Sequence, residues 1–467
     1  MSEPRRLSTY AAPVVVLAGW AVVLALNLPG HLSVDSVLQL YEGRFHVRQT
    51  WGPAIYAWML GAFDAVSPGT KAYLVFSTAL LFGAWLWLTR IAGRAHWIAA
   101  VVAAALILTP NILIYQGIVW RDVMFANCAV LGFTALAAAA ERWADGRRAW
   151  LAIALSVLAL SVGALVRQNG PILWPLGAIA VASAAPVRTL RGRVGWGGGW
   201  LAAVVAVTAV LSVTALPTGP GLDKANARGM RLLQIYDLAG AVHREPAYPL
   251  PALERTSPTG VAIMREHADQ YWSAQRIDFL NNIPNVKNSF NAMPSDAVQA
   301  EWLRLVLHRP DLYLAIRGDV LRWVVTTPEI DACVPIHVGI DGPQPFAQKL
   351  GLAVGQTPDQ QRLYNYSTYY LDGPVMRHVT WAVLAAICAV VLLIRRRRAD
   401  LPMAGLQLGA LAFAASFFPL SLACDYRYLY LVDLAAMTGL FYLALDPKRL
   451  IQVSATSRRG RAASTKR

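Results

Sequence analysis

Ten blocks of apolar residues, most of them close to the length of a bilayer-crossing helix, follow one another along this chain with short arginine-bearing connections between several of them. They run at 11–29, 72–89, 97–115, 123–140, 150–166, 171–186, 197–216, 377–394, 401–422 and 428–445. A hydrocarbon core about 30 Å thick needs roughly 20 helical residues to cross it. Strands of a membrane barrel would alternate apolar and polar positions, and these blocks do not. A soluble fold is excluded on composition: 56% of the 467 residues are hydrophobic and 15% charged, too few charges to cover a surface of that size. The expectation is an all-α polytopic membrane protein with about ten transmembrane helices.

The formal net charge of +15 raises the question of nucleic acid, which its distribution answers. Arginines gather at Arg90 and Arg94, at Arg142, Arg147 and Arg148, at Arg188, Arg191 and Arg193, and at Arg395 to Arg398. Arg5 and Arg6 open the chain, and the segment Lys448 to Arg467 contains no acid. Every second connection is therefore basic, the pattern of cytoplasmic loops. Ten spans put both termini in the cytoplasm, and the basic tail suits anionic lipid headgroups. Membrane lipids are the expected contact of these charges, not nucleic acid. The first apolar block has no clear small-residue cleavage site and is followed by more spans, so a cleaved signal peptide is not expected.

Residues 51–66 are apolar but short. A full crossing there would carry Arg90 and Arg94 to the outside, so they are read as a re-entrant or interfacial helix with Trp51, Tyr56 and Trp58 at headgroup level. Four regions follow. Residues 1–216 form an N-terminal transmembrane module of about seven spans with an outer loop at 29–71. Residues 217–376 form a large outer loop with amphipathic stretches at 297–325, residues 377–446 the C-terminal helices, and 447–467 a basic cytoplasmic tail. Cys333 and Cys424 both fall on the outer side and can pair, whereas Cys128 and Cys388 lie in apolar blocks as buried thiols.

Ionisable groups at a membrane boundary are costly and mark functional sites. Asp35 follows the first span, Arg121 and Asp122 join the third and fourth, and Arg167, Gln168 and Asn169 join the fifth and sixth. Asp425, Tyr426 and Arg427 precede the last. All four groups fall on the outer face. A carboxylate pair can supply a general base for a hydroxyl or hold a divalent cation such as Mg or Mn. Arginines offer rigid bidentate donors to a phosphate, and a lipid-linked phosphate arrives at this depth.

The stretches SVDSVLQLYEGRF (33–45), QTWGPAIYAWMLGAF (49–63), IVWRDVMFA (118–126), ALVRQNGPILWP (164–175) and DYRYLYLVD (425–433) resemble motifs of the GT-C class of integral-membrane glycosyltransferases, in a bacterial subgroup. That resemblance implies a polyprenyl-phosphate-sugar donor and a glycan, lipid or protein acceptor. It implies Asp35 as catalytic base, Asp122 as second acid, and Arg121, Arg167 and Arg427 as donor-phosphate contacts. Gln168, Asn169, Asp425 and Tyr426 belong to the same motifs as substrate contacts. Tyr236 and Asp237, in LQIYDLAGAV (233–242), are likewise expected to touch substrate. Many members carry two adjacent acids in the first outer loop, whereas Ser36 follows Asp35 here, which leaves metal dependence open.

Other residues have plainer readings. None of the eight histidines forms a zinc-binding pattern, and His31 and His46 beside Asp35 read as surface residues. Among the sixteen tryptophans, mostly interfacial, Trp51 and Trp120 are the candidates for stacking on a sugar. The run GWGGGW (195–200) lacks the strand–turn–helix setting of a phosphate loop and reads as a flexible connection or a close helix contact. A transporter or flippase, or a polymerase or ligase of lipid-linked saccharides, would use many of the same charges. No repeated half-structure favours the transporter.

Overall fold

The computed structural model describes residues 3–48, 50, 52–91, 95–214 and 222–447, and among them every regular element is helical. In chain order the longer helices are α1 (Glu3–Asn27), α2 (Val34–Phe45), α3 (Ala54–Val66), α4 (Lys71–Ile91), α5 (Trp97–Ile107), α6 (Pro110–Leu113), α7 (Arg121–Ala144), α8 (Trp150–Val166), α9 (Trp174–Ala184) and α10 (Leu190–Thr214). Next come α11 (Leu222–Arg244), α12 (Pro251–Thr256), α13 (Pro258–Tyr271), α14 (Asp278–Asn281), α15 (Pro284–Ala292), α16 (Ser295–His308) and α17 (Pro310–Thr326). The last are α18 (Gln344–Leu350), α19 (Pro358–Thr368), α20 (His378–Arg395), α21 (Asp400–Ala415), α22 (Phe417–Leu420) and α23 (Tyr430–Leu445). Trp51, Arg94, the side chains of Arg5 and Arg6, and the tail Lys448–Arg467 lie outside the described residues.

All ten apolar blocks are helical, and the expected all-α, multi-span architecture is the one observed. Among the described residues seven helices are long and apolar enough to cross a membrane, or eight if one bent pair counts as a span. That pair corrects the straight span expected at 97–115. The chain turns by 74° between α5 and α6 because Pro110 forces Thr109 out of the helical region, to φ −70° and ψ 148°. The blocks expected at 150–166 and 171–186 form the shorter apolar helices Trp150–Val166 and Gly170–Ala184. Helix α3 has 13 residues, about 20 Å at 1.5 Å per residue, too short for a crossing.

The chain divides into two compact units. The first comprises 1–217, 336–413 and 430–467, and the second 218–335 and 414–429. The expected loop 217–376 is thus split, with residues 336–376 packing into the first unit.

Within the first unit α7 is the central helix, packed against α4, α8 and α23. Several buried polar side chains on α7 and the elements around it pair with one another, as a low-dielectric interior favours. Asn127 and Gln116 exchange two hydrogen bonds of 2.9 Å, and Gln116 also donates to the Tyr430 hydroxyl at 2.9 Å. His378 Nδ1 meets Asp433 at 2.8 Å. Helices α2 and α3 cross at Gly43 and Gly61, where a Cβ on either would run into backbone of the other.

The second unit has its own apolar core, built from α11 to α17 around Tyr236, Trp272, Phe290, Leu305 and Ile316. A disulfide joins Cys333 to Cys424 across 91 residues of sequence, with Cα atoms 5.1 Å apart. The other two cysteines, Cys128 and Cys388, are free and buried.

Candidate active site

In the first unit two helix starts are sewn together by the chain that leads into them. After α1 the chain turns at Gly30, whose φ of +118° favours glycine. His31 and Leu32 then run extended between two other segments. His31 N donates to Gly117 O and Val119 N to His31 O, both at 2.9 Å. On the other side Leu32 N donates to Gly339 O at 2.9 Å and Asp341 N to Leu32 O at 2.8 Å.

These pairings bring the start of α2 against the start of α7. Trp120 Nε1 donates to Ser33 Oγ at 2.8 Å, and Ser36 Oγ donates to Val119 O at 2.6 Å. Asp35 and Asp122 each sit in the first turn of their helix, where the positive end of the helix dipole favours a carboxylate. Asp35 is half-buried and Asp122 buried.

The cations come from two further places. Arg167 caps the C-terminus of α8, a favourable position for a positive charge, and its Nη2 lies 2.9 Å from Asp122 Oδ1. The contact is an ion pair off the hydrogen-bond axis. Arg121 Nη1 faces the loop after α2: a Cβ at Gly52 would stand 3.5 Å from it and 2.7 Å from Gln39 Nε2. Gln168 is exposed and Asn169 partly so, on the turn after Arg167. Asp35, Asp122, Arg121 and Arg167 thus belong to one unit, with hydrogen bonds joining the segments that carry the two acids.

His31 is not the surface residue expected from sequence. It is fully buried, with Nε2 3.0 Å from Asn27 Oδ1 and Nδ1 accepting Gly339 N at 3.2 Å. The Asn27 amide nitrogen donates to Val23 O and Leu113 O, so its oxygen must accept, and His31 is the neutral tautomer protonated at Nε2. Burial, and then the nearby His337, lower its pKa to about 4. His46 is exposed and left-handed at the end of α2.

Sequence reasoning missed His337 and the segment that carries it. The His337 ring lies 6.3 Å from that of Trp120. The usable signal was a short extended run, Ile336–Val338–Ile340, punctuated by Gly339, inside what reads as featureless loop. Trp120 itself is buried, with its ring nitrogen committed to Ser33.

The remaining predicted residues lie in the second unit. Asp425 accepts from Arg276 Nη2 at 2.8 Å and Arg427 Nη2 at 3.2 Å, beside the disulfide at Cys424. Tyr426 is fully buried. Tyr236 and Asp237, expected to touch substrate, are likewise fully buried. The Tyr236 hydroxyl donates to Ser273 O at 2.6 Å. Asp237 pairs with Arg317, itself completely buried, and accepts from Trp302 Nε1 at 2.8 Å. Arg317 also donates to Ser421 O at 2.7 Å, so the pair is an internal strut of the helical core.

Among the described residues no three His, Cys, Asp or Glu side chains gather as a metal cluster. Asp35 and Asp122 are the acidic donors at these helix starts, and Asp122 already faces Arg167.

No protein-family model matches the chain, and no curated protein matches it. Among solved structures, an Archaeoglobus fulgidus oligosaccharyltransferase tethered to an acceptor peptide containing an NVT sequon aligns over 92% of this chain and 49% of its own, at 12% identity and a TM-score of 0.41. The archaeal oligosaccharyltransferase AglB of Archaeoglobus fulgidus, in complex with an inhibitory peptide and a dolichol-phosphate, aligns over 96% of this chain and 52% of its own, at 16% identity and a TM-score of 0.40. The chain spans about half the length of these structures.

Proposed function

We propose that this protein is a membrane glycosyltransferase of the GT-C kind, moving a sugar from a polyprenyl-phosphate-linked donor to an envelope glycan, lipid or protein acceptor at the outer face of a bacterial cytoplasmic membrane. One observation carries the reading: the starts of α2 and α7, bearing Asp35 and Asp122, are hydrogen-bonded together, with Arg167 paired to Asp122. Half-buried Asp35 keeps partial access to solvent while the more deeply placed Asp122 is held by a guanidinium. That inequality suits one acid to proton transfer and the other to positioning.

The proposed step is a single displacement. Asp35 accepts the proton of the acceptor hydroxyl, and the hydroxyl oxygen bonds to the anomeric carbon. The bond between that carbon and the phosphate oxygen breaks, and the electron pair leaves with the lipid phosphate. Arg121 stabilises the charge that develops on it. Inversion at the anomeric carbon follows from one displacement. A hexosyl or pentosyl donor would serve equally, and no step needs a group from outside the chain.

The orientation has two supports. Basic connections mark one side as cytoplasmic, with both termini there. The Cys333–Cys424 disulfide suits an oxidising compartment, which supports an outer location for the segments that carry it.

The test is donor turnover by purified protein in detergent with a panel of polyprenyl-phosphate sugars, wild type beside Asp35→Asn. Release of lipid phosphate by wild type alone supports the enzyme. No turnover of any donor by folded protein would overturn it in favour of a translocation path, which needs a sealed membrane to act.

A further inference from the structure

At the arginine-rich end of the first unit, away from the helix starts that carry Asp35 and Asp122, an apolar groove of about 530 Å³ opens between α8, α9 and α10. That volume lies within the roughly 300–1,000 Å³ of ordinary ligand pockets. Trp150, Trp196 and Trp200 line it together with Gly192, Gly195 and Gly199. Trp200 is fixed by a 2.9 Å hydrogen bond to Ser156, and the Trp196 ring packs 5.5 Å from Trp150 and 5.3 Å from Trp143. The walls are therefore built from ordered aromatic surface.

The glycines of the GWGGGW run do different jobs. Gly197 meets α9, where a Cβ would come 2.7 Å from Ala178 O, so packing explains it. A Cβ at Gly195 or Gly199 would meet nothing within 4 Å. Each costs helix stability relative to alanine without any protein contact that needs it. What they leave is the open groove.

The mouth of the groove is charged. Segments 141–148 and 187–193 converge there, because Trp143 on the first and Trp150 just after it pack on Trp196 just after the second. They hold six arginines, Arg142, Arg147, Arg148, Arg188, Arg191 and Arg193, against two acids, Glu141 and Asp145, and all six arginines are exposed. Arg142 donates to Arg148 O at 2.8 Å and Arg193 to Val187 O at 3.3 Å, which shape the two loops.

We propose that this groove binds one anionic lipid, with a hydrocarbon chain along the Gly192–Gly199 face and its phosphate on the arginines of the two loops. Charge complementarity selects an anionic headgroup, and the aromatic walls select a hydrocarbon chain over a free anion. The site is separate from the proposed catalytic residues and does not depend on their assignment.

The probe is phosphatidylglycerol, counted per protein by native mass spectrometry after detergent exchange, with phosphatidylcholine and inorganic phosphate as competitors. Wild type is expected to retain about one phosphatidylglycerol that phosphatidylcholine displaces poorly. Arg191→Gln with Arg193→Gln should weaken retention about fivefold per arginine. Gly195→Leu with Gly199→Leu starts two side chains from Cβ positions that meet nothing within 4 Å, directed at the groove, and should abolish retention while thermal stability holds. Gly195→Ala with Gly199→Ala should bind nearly as wild type and be more stable, and Gly198→Leu, outside the lining, should bind as wild type. Equal retention of phosphatidylcholine, full displacement by inorganic phosphate, or unchanged retention in the leucine pair would each overturn the proposal.

Discussion

Both units pair carboxylates with arginines, yet the pairs singled out above differ in their access to solvent. In the first, Asp35 and Asp122 stand at helix starts, Asp35 half-buried and Asp122 buried against Arg167. In the second, Asp237 and Arg317 are wholly enclosed in a helical core, with Trp302 and Ser421 completing their bonds. The same residue types therefore do different work according to access. An enclosed, paired carboxylate and guanidinium specify packing, whereas a carboxylate that keeps a path to solvent can exchange a proton.

The contrast can be broken by mutation. Asp35→Asn should cost about 10²–10⁴ in transfer rate and leave the melting temperature unchanged, measured by product formation alongside thermal unfolding. A parallel loss of folded protein would make Asp35 structural and erase the distinction. In the second unit, Arg317→Met should strand Asp237 and cost about 3–5 kcal/mol in stability. Adding Asp237→Leu should recover most of that loss, because replacing both partners removes the unpaired charge. Thermal unfolding of the single and double variants, read from the second unit, checks it.

A finer test lies in pH. The folded His31 has a pKa of about 4 against an ordinary 6.5, so the unfolded chain binds a proton that the folded one refuses. The resulting stability is fully present above pH 6.5 and is lost as pH falls towards 4, roughly 3 kcal/mol in all. Protonating Nδ1 would set an N–H against the Gly339 N–H. Unfolding of the first unit measured from pH 7.5 to 4.5 should show this slope, and His31→Asn should flatten it. The smallest effect is expected at Asp425. Asn there should cost about 1 kcal/mol or less, since the carboxylate and its partners Arg276 and Arg427 are all partly solvated. A larger loss of stability would make it a second strut, and a loss of activity alone would join it to the catalytic groups.

The helices were legible because apolar block length is a direct consequence of bilayer thickness. What block length could not convey was the break at Thr109–Pro110–Asn111, three residues too few to end a block whose flanks are apolar on both sides. The juxtaposition of Asp35 with Asp122 was anticipated only as a shared face. Its physical basis is the pairing of His31 and Leu32 with segments 117–119 and 339–341, which involves backbone groups and so leaves almost no trace in side-chain pattern. The partner of Asp237 was illegible for the converse reason: a polar pair on a helix looks the same in sequence whether it faces a ligand or an arginine 80 residues away.

The Cys333–Cys424 bond also bears on how the molecule is made. Between the two cysteines the chain runs through α20 and α21, both candidate spans. Both helices must be made after Cys333 before Cys424 exists to pair with it. The second unit is therefore closed covalently only after both helices have been made, and a product truncated before α22 would carry an unmatched thiol, a ready handle for quality control.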